Sequence, residues 1–193
     1  MEILEVLDTI ITNLLNLLGT WGALLGCVFI LFESIIPILP LSVFITLNFM
    51  TFGNIVGFFI SWLFTIMGCM MSYYIFRRGV SDSRLSKLKE SKTFGKIVKV
   101  VENMNFSSLA LLIAIPFTPA FAVNIAAGIC RVDSKKYLYA LMLGKISLVY
   151  FWGYVGVSLI EALKNPLILI KVAILVIIVY IISLVLSKKL KVK

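Results

Sequence analysis

Histidine does not occur in this chain of 193 residues, and aspartate and glutamate together number only nine. Histidine is the commonest metal ligand and general base in enzymes, and clustered aspartates hold many catalytic divalent metals. The three cysteines, Cys27, Cys69 and Cys130, form no closely spaced pair, so we expect free thiols. The sequence therefore predicts a protein that is not an enzyme and that holds no metal or other cofactor.

Apolar residues, in contrast, dominate the composition. They make up 61% of the chain, charged residues make up 14%, and the mean hydropathy is +1.09. These values predict an integral membrane protein with a single domain. The net charge of +9 comes from lysines and arginines that flank apolar runs, so we expect no nucleic acid partner. The basic clusters indicate topology and contacts with anionic lipids of the inner leaflet.

An acidic residue and two prolines interrupt the apolar run FESIIPILP at positions 32–40. Glu33 is the only charged side chain between positions 9 and 76, and an ionisable group at bilayer depth marks a functional site by default. Pro37 and Pro40 each lack a backbone donor and end a continuous helix. Broken backbone is tolerated at this depth where it is buried in protein or lines a wet cavity.

A second interruption has the same P-x-x-P spacing. Pro116 and Pro119 break an apolar run inside the uncharged stretch 103–130. Two interrupted apolar segments in the two halves of a chain indicate a transport site between structural repeats. The alternative is that both segments are kinked transmembrane helices.

The positive-inside rule orders these segments across the membrane. If 106–130 crossed the bilayer, the basic cluster after it would lie outside; if it re-enters and returns, every large basic cluster is cytoplasmic. We therefore predict an all-α, multi-pass protein of the cell membrane, an inverted repeat with two opposed re-entrant hairpins and a cytoplasmic C-terminus. The predicted segments are an interfacial helix 1–18, hairpin 21–50, transmembrane helix 54–76, basic segment 77–104, hairpin 106–130, transmembrane helices 137–162 and 167–187, and tail 188–193.

The basic segment 77–104 is the longest polar stretch. Apolar residues recur in it at roughly helical spacing among the lysines, which predicts an amphipathic helix on the inner leaflet. Its alternatives are a solvated linker and a segment that senses anionic lipids.

Three motifs resemble those of one family. Glu33, Pro37 and Pro40 are similar to the E-x-x-x-P-x-x-P signature of the DedA family, whose members carry a VTT or SNARE-associated domain. The second region, with Phe106, IPFTP, Asn124, Gly128 and the LGK of Gly144 and Lys145, is similar too. Between them, the stretch from Gly68 resembles a family motif that ends here at Arg78 and Gly79. The resemblance implies a lipid transporter of the flippase or scramblase kind with two facing hairpins, and a packing role for these glycines and Arg78.

The same resemblance bears on the substrate. Ile113 and Pro119 stand where members similar to undecaprenyl-phosphate carriers usually have arginines, and guanidinium is the usual partner of a phosphomonoester. The motif sequences FESIIPILPLS and IPFTP are more similar to those of the small Gram-positive members associated with phosphatidylethanolamine translocation. We therefore expect phosphatidylethanolamine as substrate; the alternatives are undecaprenyl phosphate and a protein that supports membrane assembly through 77–104 without transport.

A mechanism follows from two charges. Lys145 lies about nine residues beyond the cytoplasmic cluster, roughly 13 Å into the membrane at ~1.5 Å per residue, and a lysine that deep needs a partner. Glu33 is the only acid at comparable depth. We predict a shared groove in which Glu33 faces the ammonium of a zwitterionic headgroup and Lys145 its phosphate, completed by Asn48, Thr118 and Asn124. The alternatives are a structural ion pair and a lysine that snorkels to the inner surface.

Overall fold

The computed structural model describes residue 22 and residues 26–35, 40–79, 94–163 and 165–189, with the backbone alone at 94, 96 and 97. Every regular element in these residues is helical, which confirms the predicted all-α class. After a helical segment at 26–33 come α1 (Leu41–Gly79), α2 (Phe94–Glu102), α3 (Phe106–Ala114), α4 (Ala120–Ile129), α5 (Ser134–Glu161) and α6 (Leu167–Lys189). The predicted interfacial helix 1–18, Pro37 and positions 80–93 of the basic segment lie outside the described residues.

Three of these helices, α1, α5 and α6, are long and apolar enough to cross a membrane. Three is also the number of crossings expected from the sequence. Helix α6 has few buried residues along its length, and large apolar side chains cover its surface, as expected for a helix that faces lipid.

Helix α1 is divided by a reversal at Gly53. This residue has φ 77° and ψ 172°, a conformation that glycine adopts at little cost. The Asn48 amide donates a hydrogen bond of 3.0 Å to the Ser61 hydroxyl. In a continuous helix these residues would lie about 20 Å apart, at ~1.5 Å per residue. The arms 41–52 and 54–79 therefore fold back against each other, and the reversal falls between the predicted segments 21–50 and 54–76.

The second proline pair separates α3 from α4. Asn105 caps α3 by accepting a hydrogen bond of 2.8 Å from the Ser108 backbone N–H. The helix ends at Ala114, and Pro119 precedes the first residue of α4. The chain is thus broken over positions 115–119, where the sequence predicted an interruption.

Helix α5 lies at the centre and packs against α1, α3 and α6. Its first turn is tied to the end of α1, because the Tyr73 hydroxyl and the Arg77 guanidinium both donate to the Val132 carbonyl, at 2.6 and 2.9 Å. Arg131 adopts a left-handed conformation, φ 52°, that ends α4 and presents this carbonyl. The end of α1 and the beginning of α5 therefore lie on the same side of the molecule.

Candidate functional site

Lys145 is buried in the middle of α5, with 1% of its surface exposed. It lies on the order of 16 Å along the helix from Ser134, at ~1.5 Å per residue. Gly144 allows the close approach of α3, since a Cβ there would lie 2.7 Å from the Ala110 carbonyl oxygen. Helices α3 and α4 and the break between them meet around the lysine. The pocket is lined by Leu112, Ile113, Thr118, Ala120, Val123, Asn124 and Lys145.

Glu33 approaches the same region from the first interrupted segment. It is the last residue of the helical segment 26–33 and is partly buried. The next residue, Ser34, is bonded by the pocket residue Asn124, which places Glu33 near the lysine, and among the described residues Glu33 and Lys145 form no direct ion pair. The two side chains are thus near each other without being in contact.

Asn124 joins the two interrupted segments. Its amide nitrogen donates a hydrogen bond of 3.3 Å to the Ser34 carbonyl, at the first break, and its amide oxygen accepts one of 2.6 Å from the Tyr137 hydroxyl. The side chain is 1% exposed, so neither bond competes with water. Through this one side chain, the residue after Glu33 is held against α4 and α5.

Replacement of Asn124 by alanine is expected to destabilise the protein by about 1–3 kcal/mol, because the Ser34 carbonyl and the Tyr137 hydroxyl lose their partner in a buried place. The measurement is thermal unfolding of the purified protein in detergent. Tyr137→Phe should give a smaller decrease, and the double variant should be less destabilised than the sum of the two. Additive effects would contradict the link.

Other predicted site residues lie elsewhere. Asn48 is fully buried between the two arms of α1, where it bonds Ser61 and lies beside Gly26 and Cys27, and it does not line the Lys145 pocket. Pro40 is exposed just before α1. Pro116 and Pro119 flank Thr118 and shape the break, and Thr118 alone of these three lines the pocket.

The predicted packing residues differ in their surroundings. A Cβ at Gly68 would lie 2.7 Å from the Ser34 side chain, and one at Gly128 would lie 2.5 Å from the Tyr73 carbonyl oxygen. Gly68, Gly128 and Gly144 thus sit at close contacts. Gly79 has nothing within 4 Å, and Arg78 is exposed.

Four residues with structural roles at or near the site were not singled out by the sequence. Tyr137 and Ser34 bond Asn124, and Tyr73 and Arg77 fasten α1 to the turn before α5. The spacing of Tyr73 and Arg77, four residues apart on one helix face, could not have identified them alone, because Tyr74 and Arg78 have the same spacing.

The chemistry available here is electrostatic. The described residues contain no group of three or more acidic, cysteine or histidine side chains that could hold a metal ion. What remains is a buried ammonium, a nearby carboxylate, a hydroxyl and an amide, together with backbone groups at two helix breaks. This set contains one basic and one acidic side chain, together with neutral hydrogen-bonding groups.

Comparison with known proteins gives one family match and two relatives. The VTT domain matches residues 39–158, a range that includes Asn124 and Lys145 and begins six residues after Glu33. An "uncharacterized membrane protein YhjE" of Bacillus subtilis (strain 168) is 29% identical over 147 residues, covering 76% of this chain and 71% of that protein. The "uncharacterized protein YqeD" of the same organism is 23% identical over 128 residues, and the match covers 66% of this chain and 62% of that protein. No solved structure matches the chain significantly.

Proposed function

Because this chain belongs to the VTT-domain, or DedA, family of membrane proteins, we propose that it moves phospholipid headgroups across the cell membrane as a flippase or scramblase, with phosphatidylethanolamine as the preferred substrate. One observation carries the proposal. A lysine is buried about halfway through a membrane helix, at the point where two broken segments meet, with a carboxylate nearby but not in contact. A charge at this depth costs about 2.5–3.5 kcal/mol by insertion scales, so a lysine without an ion-pair partner among the described residues favours a ligand at this place.

Phosphatidylethanolamine fits this pair by charge. Its phosphate would lie at Lys145, with the amide of Asn124 and the hydroxyl of Thr118 beside it, and its ammonium would lie at Glu33. The acyl chains would stay in the surrounding lipid. The pocket contains no arginine among its lining residues, which favours this substrate over a phosphomonoester such as undecaprenyl phosphate.

The proposed topology has two hairpins that enter from opposite faces as inverted repeats. Its first support is the reversal at Gly53 and the break at 115–119. Its second support is the basic side, since the Tyr73 and Arg77 contacts bring Arg77 together with the beginning of α5, where Lys135 and Lys136 lie. By the positive-inside rule this side and the end of α6 are cytoplasmic.

Reconstitution tests the proposal. Purified protein in liposomes with labelled phosphatidylethanolamine, phosphatidylglycerol or undecaprenyl phosphate is exposed to an impermeant reagent, and the accessible fraction is followed over time. We expect phosphatidylethanolamine to equilibrate at least about ten times faster than in empty liposomes. Rates equal to those of empty liposomes for all three lipids would overturn transport. Movement of undecaprenyl phosphate alone would overturn the choice of substrate.

Glu33→Gln is expected to slow the transport of phosphatidylethanolamine about 10- to 100-fold. A hydrogen bond to a charged group contributes about 1.5–3 kcal/mol, and each 1.4 kcal/mol is a tenfold change in rate. Phosphatidylglycerol, which has no ammonium, should be affected much less. The matched control is Glu161→Gln, an exposed acid at the end of α5. An unchanged rate for phosphatidylethanolamine in Glu33→Gln would contradict the assigned role.

A further inference from the structure

A second polar site lies at the end of the molecule that carries the basic residues. A surface groove runs between the end of α2, the beginning of α3 and the end of α6, and its polar lining residues are Lys99, Asn103, Asn105, Ser108 and Lys189. We propose that this groove binds the phosphate of an anionic phospholipid of the inner leaflet. The proposal does not depend on transport through the Lys145 pocket, with which the groove shares no lining residue.

Among the described residues, the charged side chains that line the groove are both positive. Lys99 and Lys189 come from separate helices, and neither lysine forms an ion pair within the part of the chain that the structure describes. The N-terminus of α3 also borders it, and the positive end of a helix dipole favours an anion. Two ammonium groups and a helix N-terminus around one opening match the chemistry of a phosphodiester.

Hydrogen bonds hold the groove in shape. The Asn103 side chain donates to the Lys99 carbonyl at 2.9 Å, and the Lys136 ammonium donates to the Met104 carbonyl at 2.7 Å. On the inner face of α2, Val98 and Val101 are buried in the core. The end of α2 that lines the groove is thus held in place against the core and α5 before a ligand binds, which lowers the entropic cost of binding.

The position of Lys189 indicates a lipid rather than a soluble anion. It is the last residue of α6, one of the three helices able to cross the membrane. Val185 and Ile182 precede it by four and seven residues, so they lie on the same helix face, and they are 61% and 51% exposed. A lipid with its phosphate at Lys189 can therefore lay an acyl chain along an apolar surface that begins directly below.

Binding of phosphatidylglycerol to the purified full-length chain tests this site. We measure the affinity of fluorescently labelled protein for mixed micelles at fixed ionic strength, with phosphatidylcholine micelles and soluble glycerol phosphate as separate arms. The double variant Lys99→Gln/Lys189→Gln is expected to bind phosphatidylglycerol about 30-fold more weakly, since each lysine at a membrane surface contributes about 1 kcal/mol and each 1.4 kcal/mol is tenfold.

The matched control removes the same charge elsewhere. Lys135 and Lys188 are exposed lysines near the same surface that do not line the groove, so Lys135→Gln/Lys188→Gln should retain most of the affinity. Equal losses in the two double variants would overturn the site, because they would reflect general surface charge. Equal affinity for glycerol phosphate and for the micelles would overturn its assignment to a lipid.

Discussion

Replacement of Lys145 by methionine is expected to reduce headgroup transport about 100-fold or more, for phosphatidylethanolamine and phosphatidylglycerol alike. Both lipids carry a phosphate, and loss of a buried hydrogen bond to a charged group, about 1.5–3 kcal/mol, adds to loss of its Coulomb attraction. The fold should remain at least as stable, because methionine fills a similar volume and removes a buried charge. The measurements are the liposome assay and thermal unfolding in detergent.

The stability result separates this role from a structural one. If Lys145 served mainly to neutralise Glu33, Lys145→Met would lower the unfolding midpoint, and adding Glu33→Gln would restore it. The control for transport is Lys171→Met, which removes an exposed lysine from the membrane helix α6 and should leave the rate unchanged. Full transport by Lys145→Met would contradict the proposed pocket.

The contrast between Lys145→Met and Glu33→Gln carries more information than either variant alone. Lys145 is assigned to the phosphate, which every phospholipid has, and Glu33 to the ammonium, which phosphatidylglycerol lacks. The lysine variant should therefore slow both lipids, and the glutamate variant mainly one. If the two residues did not have these separate roles, the two substitutions would slow the two lipids to the same extent.

Both charged residues could be singled out from the sequence because charges are rare in its apolar segments. Glu33 is the only charged residue over nearly seventy positions. Lys145 follows the basic cluster that ends at Lys136 by more than two helical turns. Helix ends were predictable for a similar local reason. Prolines end or precede helices at 115–119, and Asn105 and Asp133 cap α3 and α5 through their side chains.

Long-range partners could not be predicted in this way. Asn48 and Asn124 are both single amides in apolar helices, and the sequence placed both at one groove. The reversal at Gly53 turns Asn48 toward Ser61, whereas Asn124 meets Ser34 and lines the pocket. A helix that is apolar on all sides, as α1 is, has no polar face to show which residues turn inward.

The choice between adjacent arginines illustrates the same limit. Arg77 and Arg78 are equivalent in composition and charge, and the family resemblance singled out Arg78. The phase of the helix decides between them, since Arg77 lies four residues after Tyr73 and shares its face, and Arg78 points outward. The packing of α1 against the turn at Val132, which no local pattern encodes, sets that phase.

Gly68→Ala is expected to destabilise the protein by roughly 1–3 kcal/mol and to slow transport several-fold. The added Cβ would lie 2.7 Å from the Cβ and Oγ of Ser34 and 3.2 Å from the Leu31 Cα, so the helical segment must move away from α1. Ser34 carries the carbonyl that Asn124 binds and follows Glu33 directly, so the displacement weakens that hydrogen bond and moves the carboxylate. Thermal unfolding and the liposome assay measure the two effects.

Gly79→Ala is the matched control, because the same substitution at the end of the same helix meets nothing within 4 Å. Alanine is the better helix former, by up to about 1 kcal/mol, so the control should be neutral or slightly stabilised, with unchanged transport. Adding Asn124→Ala to Gly68→Ala should cost less than it does in the parent, because the bond to Ser34 is already weakened. Equal behaviour of the two glycine variants would show that the close approach of Ser34 to α1 does not position the site.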